Sequence, residues 1–123
     1  MGKIVYYDLE TTGLNPRNKH KGVEIISIGA VSRKGERFLN FINPECSITA
    51  GATRINGFSH NHYGDLVDRD GDVVESAKDP QEGLEDFLDW LQTVGCRYLV
   101  SQLFSKIQIT TLLQKSYGWR GCL

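Results

Sequence analysis

YYDLETTGLNP, residues 6–16, sets Asp8 and Glu10 one residue apart at the end of the apolar run Lys3–Asp8. The run is short and rich in β-formers, which predicts a buried strand. Side chains two apart in a strand share a face. Asp8 and Glu10 would therefore point the same way at the strand's C-terminal end, where the backbone leaves the sheet. Such a pair suits a hard divalent cation, which takes oxygen ligands and keeps positions open for phosphate. Two such ions can align an attacking water and stabilise the leaving oxygen of a phosphodiester. Thr11, Thr12 and Gly13 would let the backbone come close to a nucleotide. A D-x-E triplet alone is a weak signal, so its surroundings decide what it means.

The surroundings read as mixed α/β. Glu24–Ser32, EIISIGAVS, is almost continuously apolar and predicts a strand covered on both faces. A turn at Gly35 and the run Arg37–Ile42 complete a hairpin that Pro44 stops. The segment CSITAGATRINGFS, residues 46–59, carries a short helical turn, and His62–Lys78 reads as an acidic loop. Asp79-Pro80-Gln81-Glu82 supplies an N-cap, a proline at the first helical position and the acid of a capping box. Leu84, Phe87, Leu88 and Leu91 follow at helical spacing, with Gly95 at the C-terminal stop. Arg97–Ser101 is a further short strand, and Lys106–Tyr117 a second helix with Ile109, Leu112 and Leu113 on its apolar side.

The 123 residues fit a single domain large enough to fold without disulfide or metal staples. A net charge of −1 gives no global pull toward nucleic acid or an anionic membrane, so any such role must reside in a local site. Cys46, Cys96 and Cys122 are an odd set without C-x-x-C spacing, which points to a reduced, intracellular chain and away from zinc. The N-terminus lacks a signal-peptide core and neither end carries an acylation or prenylation motif, so a soluble chain with no membrane anchor is expected, in the nucleus or the cytoplasm.

On these residues a resemblance can be stated. YYDLETTGLNP resembles the first motif of the DEDD 3′→5′ exonuclease superfamily, the ribonuclease H-like proofreading and trimming enzymes. EIISIGAV and FINPECSITAGATRINGFS resemble the next two strands and the segment after them, with Asn56-Gly57 where relatives often read His-Gly. PQEGLEDFLDWL resembles the helix that leads into the strand CRYLVS. The resemblance, running from residue 3 to about 117, implies a ribonuclease H-like mixed sheet: three antiparallel strands, then a parallel one, flanked by helices. It also implies removal of nucleotides from a nucleic-acid 3′ end with Mg2+ or Mn2+. Asp8 would be shared by two metals, and Glu10 would hold the one that carries the attacking water. Leu9, Thr11, Thr12, Gly13 and Leu14 would lie against the terminal nucleotide and its phosphate.

The pattern then departs from the family. In VSQLFSKIQITTLL, residues 100–113, Leu103 stands at the motif Asn, Ile107 at the Phe and Gln108 at the acidic ligand. A neutral amide offers an oxygen without the charge that holds a divalent ion. The final motif, a His or Tyr base followed by an Asp, has no counterpart before Leu123, and the fifth strand and last helix are expected to be missing. Loss of a general base costs around 10²–10⁴ in rate. An impaired centre is thus expected, together with a sheet edge open to a homodimer or a completing chain.

Two other readings stand beside this one. Asp68, Asp70, Asp72 and Asp79 fall at the first, third, fifth and twelfth places of a calcium loop, but Val73 takes the glycine position and Asp79 replaces the bidentate Glu. A non-catalytic nucleic-acid- or protein-binding module would also fit, with Arg17, Lys19, His20 and Lys21 as a basic turn beside the acids. No residue identifies DNA over RNA.

Overall fold

The structure is a computed structural model and describes residues 3–13 and 24–101. Leu14, the basic turn Arg17–Lys21, the helix expected at Lys106–Tyr117, Gln108 and Cys122 lie outside the described residues.

Strand β1, Lys3–Thr11, runs three residues beyond the expected Asp8, so both acids lie within the strand rather than past its end. The extension follows from pairing: Asp8, Leu9 and Glu10 stand opposite Gly29, Ile28 and Ser27 of β2, Ile25–Ser32, and the register shifts only between Glu10 and Thr11. β3, Arg37–Phe41, returns antiparallel to β2. β6, Cys96–Ser101, lies parallel to β1 on its other side, which gives the sheet order β3-β2-β1-β6. Central β1 is thus bonded on both edges. The three antiparallel strands and one parallel strand match the expected mixed sheet.

Between β3 and β6 stand α1, Ala50–Asn56, a hairpin of β4, Ser59–His60, with β5, Leu66–Val67, and then α2, Pro80–Thr93. The hairpin corrects the reading of His62–Lys78 as loop throughout. Two-residue strands have no periodicity to read, and this pair depends on Asn61, whose side-chain oxygen accepts from the amides of Tyr63 and Asp65 at 3.0 Å each.

α2 begins as its sequence predicts. Asp79 is the N-cap, its carboxylate accepting from Glu82 N–H at 3.0 Å. Phe87, Leu88 and Leu91 are buried against Val5, Tyr7 and Ile28 of the sheet, with Leu84 partly buried beside them. Each fully buried side chain of this size contributes roughly 1.5–3 kcal/mol. Phe38 of β3 joins through its ring, 5.3 Å from Phe87 and 5.4 Å from Trp90 between centroids. β2 is covered on both faces over Ile25–Ile28, as expected, whereas Gly29 and Val31 are only partly buried. They share the face of β1 turned away from α2.

α2 approaches the sheet closely at one glycine. A Cβ on Gly83 would lie 2.5 Å from Ile42 Cγ1 and 2.8 Å from Cδ1, and Ile42 is itself 1 % exposed. Asn40 Nδ2 reaches the Gly83 carbonyl at 3.3 Å, so the contact is fixed from both elements. In a free helix Gly→Ala would stabilise by about 1 kcal/mol. Here the added methyl overpacks a full core, and Gly83→Ala is expected to lower the unfolding free energy by about 1–2 kcal/mol in a denaturant titration. A raised midpoint would show that α2 can move off the sheet without loss.

Candidate functional site

The pairing of β1 decides where its acids go. Val5 and Tyr7 point to α2 and are buried, so Tyr6, Asp8 and Glu10 point to the opposite face. On that face Asp8 borders a cleft of about 640 Å3 with Tyr6, Gly29, Arg37 and Leu39. Glu10 borders a second cleft of about 690 Å3 whose far wall is α1. The two carboxylates are therefore neighbours on one face of β1, Asp8 beside the first cleft and Glu10 beside the second.

Their proximity has an electrostatic cost. Partial burial, and after it the charge of Asp8, hold Glu10 above the usual carboxylate range. Asp8 Oδ1 accepts from the Leu9 amide at 3.0 Å, and among the described residues neither acid is paired with a cation. Two half-buried carboxylates that repel each other are a donor set that fits a hard divalent ion, with the rest of its coordination left to water and phosphate. Asp8 and Glu10 are the residues that would hold it.

The chain after Glu10 is pinned by Thr12. Thr12 is 2 % exposed; its N–H donates to the Glu24 carbonyl at 2.9 Å, and its hydroxyl accepts from Glu24 N–H at 3.1 Å. The Cys46 thiol also donates to that hydroxyl, at 3.4 Å, while the Glu24 carboxylate accepts from the amides of Glu45 and Cys46. Thr12 was expected against a nucleotide; its side chain is instead spent on tying β1 to the start of β2 and to residue 46. A hydroxyl two positions after an acid looks the same in sequence whether it faces a ligand or the core. Leu9, Thr11 and Gly13 do line the second cleft. The Thr11 hydroxyl donates to the Gly13 carbonyl at 3.2 Å, which tightens the turn.

The far wall is what sequence reasoning left unassigned. Thr49, Arg54, Ile55 and Asn56 of the α1 region face Glu10 and Thr11 across the cleft, and Ile55 is 72 % exposed. The one available signal was positional: Asn56-Gly57 stands where the resemblance expects His-Gly. Gly13 marks how closely the walls meet, because a Cβ there would lie 2.9 Å from the Thr49 methyl.

Among the described residues, the carboxylates that cluster in a group of three are Asp68, Asp70 and Asp72, whose ligand atoms lie within 4.8 Å of one another. The calcium-loop reading does not carry over. A strand, β5, enters this segment in place of a helix, and Asp79 is occupied as the N-cap of α2. Asp68 Oδ1 already accepts from the amides of Asp70 and Asp72 at 3.0 Å, a pattern that closes a turn. No described helix is long and apolar enough to cross a membrane.

A family model described as an exonuclease, RNase_T, matches residues 5–101. The chain is 44 % identical over 57 residues to a DNA polymerase III subunit epsilon of Rickettsia felis, covering 45 % of this chain and 25 % of that protein. It is 33 % identical over 93 residues to a PolC-type DNA polymerase III of Caldanaerobacter subterraneus, covering 72 % of this chain and 6 % of that protein. It thus spans a quarter or less of the curated relatives it matches. Among solved structures, the nuclease domain of 3′hExo, a DEDDh family member bound to rAMP, superimposes with a TM-score of 0.58 at 19 % identity, over 93 % of this chain and 59 % of that one. A full-length 3′-exonuclease superimposes with a TM-score of 0.52 at 15 % identity, over 80 % of this chain and 45 % of that one. These structures share the ribonuclease H-like α/β fold with the chain.

The geometry of the acids makes a pH prediction. A carboxyl whose folded pKa lies above its unfolded one binds more protons in the folded state, so stability falls as pH rises out of the ordinary carboxylate range. Asp8→Asn removes the like charge, brings Glu10 part of the way back and makes the metal-free chain more stable at pH 7, by under about 1 kcal/mol because the site is only partly buried and solvent screens it. The same variant should lose Mn2+ binding by calorimetry. Unchanged binding would remove Asp8 from the ligand set.

Proposed function

The chain belongs to the RNase_T exonuclease family, and from this we propose that its β1 acids and the adjoining cleft form a 3′-end site for nucleic acid. Enzymes of this family use divalent metal ions. The observation that carries the reading is the placement of Asp8 and Glu10 on one face of central β1, beside a cleft lined by Thr11, Gly13 and α1. Asp8 and Glu10 would hold one Mg2+ or Mn2+, which would supply charge stabilisation on the phosphate and a more acidic water. Glu10 borders the cleft walled by α1 and would orient that water. Leu9 and the Thr11–Gly13 backbone take the terminal nucleotide, and Arg54, at the last turn of α1, offers its charge to a flanking phosphate. The substrate is a single-stranded DNA or RNA end, met inside the cell. β6 is the last strand in the order of the described sheet, and a further strand, from a second copy or another chain, would add beside it.

A second reading is favoured by a specific observation: no third described carboxylate joins Asp8 and Glu10. On that reading the site binds a 3′ end and does not cleave it at a useful rate.

One assay separates the two. The chain is incubated with 5′-labelled single-stranded DNA or RNA and Mn2+, beside Asp8→Ala. Stepwise shortening that the variant lacks by 10²-fold or more supports catalysis, since the lost group is a direct metal ligand. Metal-dependent binding without shortening supports the binder. Neither binding nor shortening, with either strand, removes the 3′-end site.

A further inference from the structure

α1 forms one wall of the cleft, yet none of its seven residues is buried. Apolar burial therefore cannot hold it where it stands, and a helix this short is not stable by itself. Polar contacts at its two ends take that part. At the N-terminal end, Thr49 N–H donates to the Thr12 carbonyl at 2.9 Å and the Thr49 hydroxyl caps Ala52 N–H at 3.0 Å. At the C-terminal end, Asn56 Nδ2 donates to the Thr11 carbonyl at 3.2 Å while its Oδ1 accepts from Phe58 N–H at 2.9 Å. The helix is thus suspended from two consecutive carbonyls of one strand end. Arg69, arriving from the segment after β5, donates to the Ile55 carbonyl at 3.1 Å and packs on Gly57, the left-handed cap with φ 84°.

We propose that Asn56 is a positioning residue: its side-chain amide fixes the last turn of α1 to the Thr11 carbonyl and so sets the distance between the two walls of the cleft. That this distance selects a nucleotide rests on the function proposed above; the positioning itself does not. The chemistry is restrictive, because one side-chain atom must donate to Thr11 and the other must accept from Phe58. Alanine does neither. Ionised aspartate accepts from Phe58 but turns a second oxygen on the Thr11 carbonyl, beside Glu10. Protonated aspartate regains the donor. The charged groups facing this position are Glu10 on β1, Arg54 on α1 and Arg69 on the segment that caps it.

Amide hydrogen exchange on the full chain tests the proposal without any ligand. The reporters are Thr49 and Gly57, whose amides bond across and within α1, against Gly83 and Val94 of α2 as controls. In Asn56→Ala the reporters should lose protection about fivefold or more, the fold-change of one net hydrogen bond, with the controls unchanged. Asn56→Asp should behave like Asn56→Ala at pH 7 and recover protection near pH 4, whereas the wild type and Asn56→Ala show no such recovery. Wild-type protection at both reporters in Asn56→Ala overturns the proposal. So does an equal loss in α2, which would make Asn56 a general stability residue. Adenosine 5′-monophosphate with Mn2+ is then titrated into the wild type and Asn56→Ala. Weaker binding in the variant ties the wall to the ligand, and equal binding overturns that tie. Absence of binding in the wild type counts against the proposed function and leaves the exchange result to decide the role of Asn56.

Discussion

The pairing of β1 on both edges is the constraint on which the rest depends. β2 fixes it antiparallel and β6 fixes it parallel, so the alternation of its side chains is not free to slip. Val5 at 0 % exposure and Tyr7 at 7 % are the residues that enforce the register, because a shift by one position would drive them out of the core and Asp8 into it. The acids owe their common face to apolar neighbours that never touch a ligand. Gly83 serves the same end from the other side of the core: by letting α2 lie against Ile42 it keeps that face of the sheet filled.

The cleft is assembled on a different physical principle. Its first wall is a strand rim held by main-chain pairing and by Thr12, whose hydroxyl is withdrawn into a knot with Glu24 and Cys46. Its second wall is a short helix with no buried side chain, held by hydrogen bonds at Thr49 and Asn56. One side of the site is rigid because it belongs to the core. The other side is as firm as a few polar contacts make it, each worth about 1 kcal/mol net.

Much of this was legible in the residues, and the reasons differ by element. α2 could be read almost to the residue, since its cap, proline and apolar spacing are local signals that tertiary structure had no cause to overrule. The faces of Asp8 and Glu10 followed from the two-residue period of a strand. The strand's true end did not, because pairing with Ser27 and Ile25 extends it and pairing is not a local property. The β4–β5 hairpin escaped for want of length. The inward turn of Thr12 escaped because its partners are twelve and thirty-four positions away. α1 was legible as a short helical turn within residues 46–59, but not which of its residues line the cleft, because a helix with no buried face carries no apolar period.

That unburied helix bears on how such a protein changes over generations. Ala50, Gly51 and Ile55 are exposed and Ala52 is half-buried, so exchanging them removes no core residue. Lineages can sample new cleft surfaces there at little risk to folding, provided the two tethering residues persist. A rigid sheet bearing an almost unencumbered wall is an arrangement in which preference for a ligand can drift while the scaffold stays as it was.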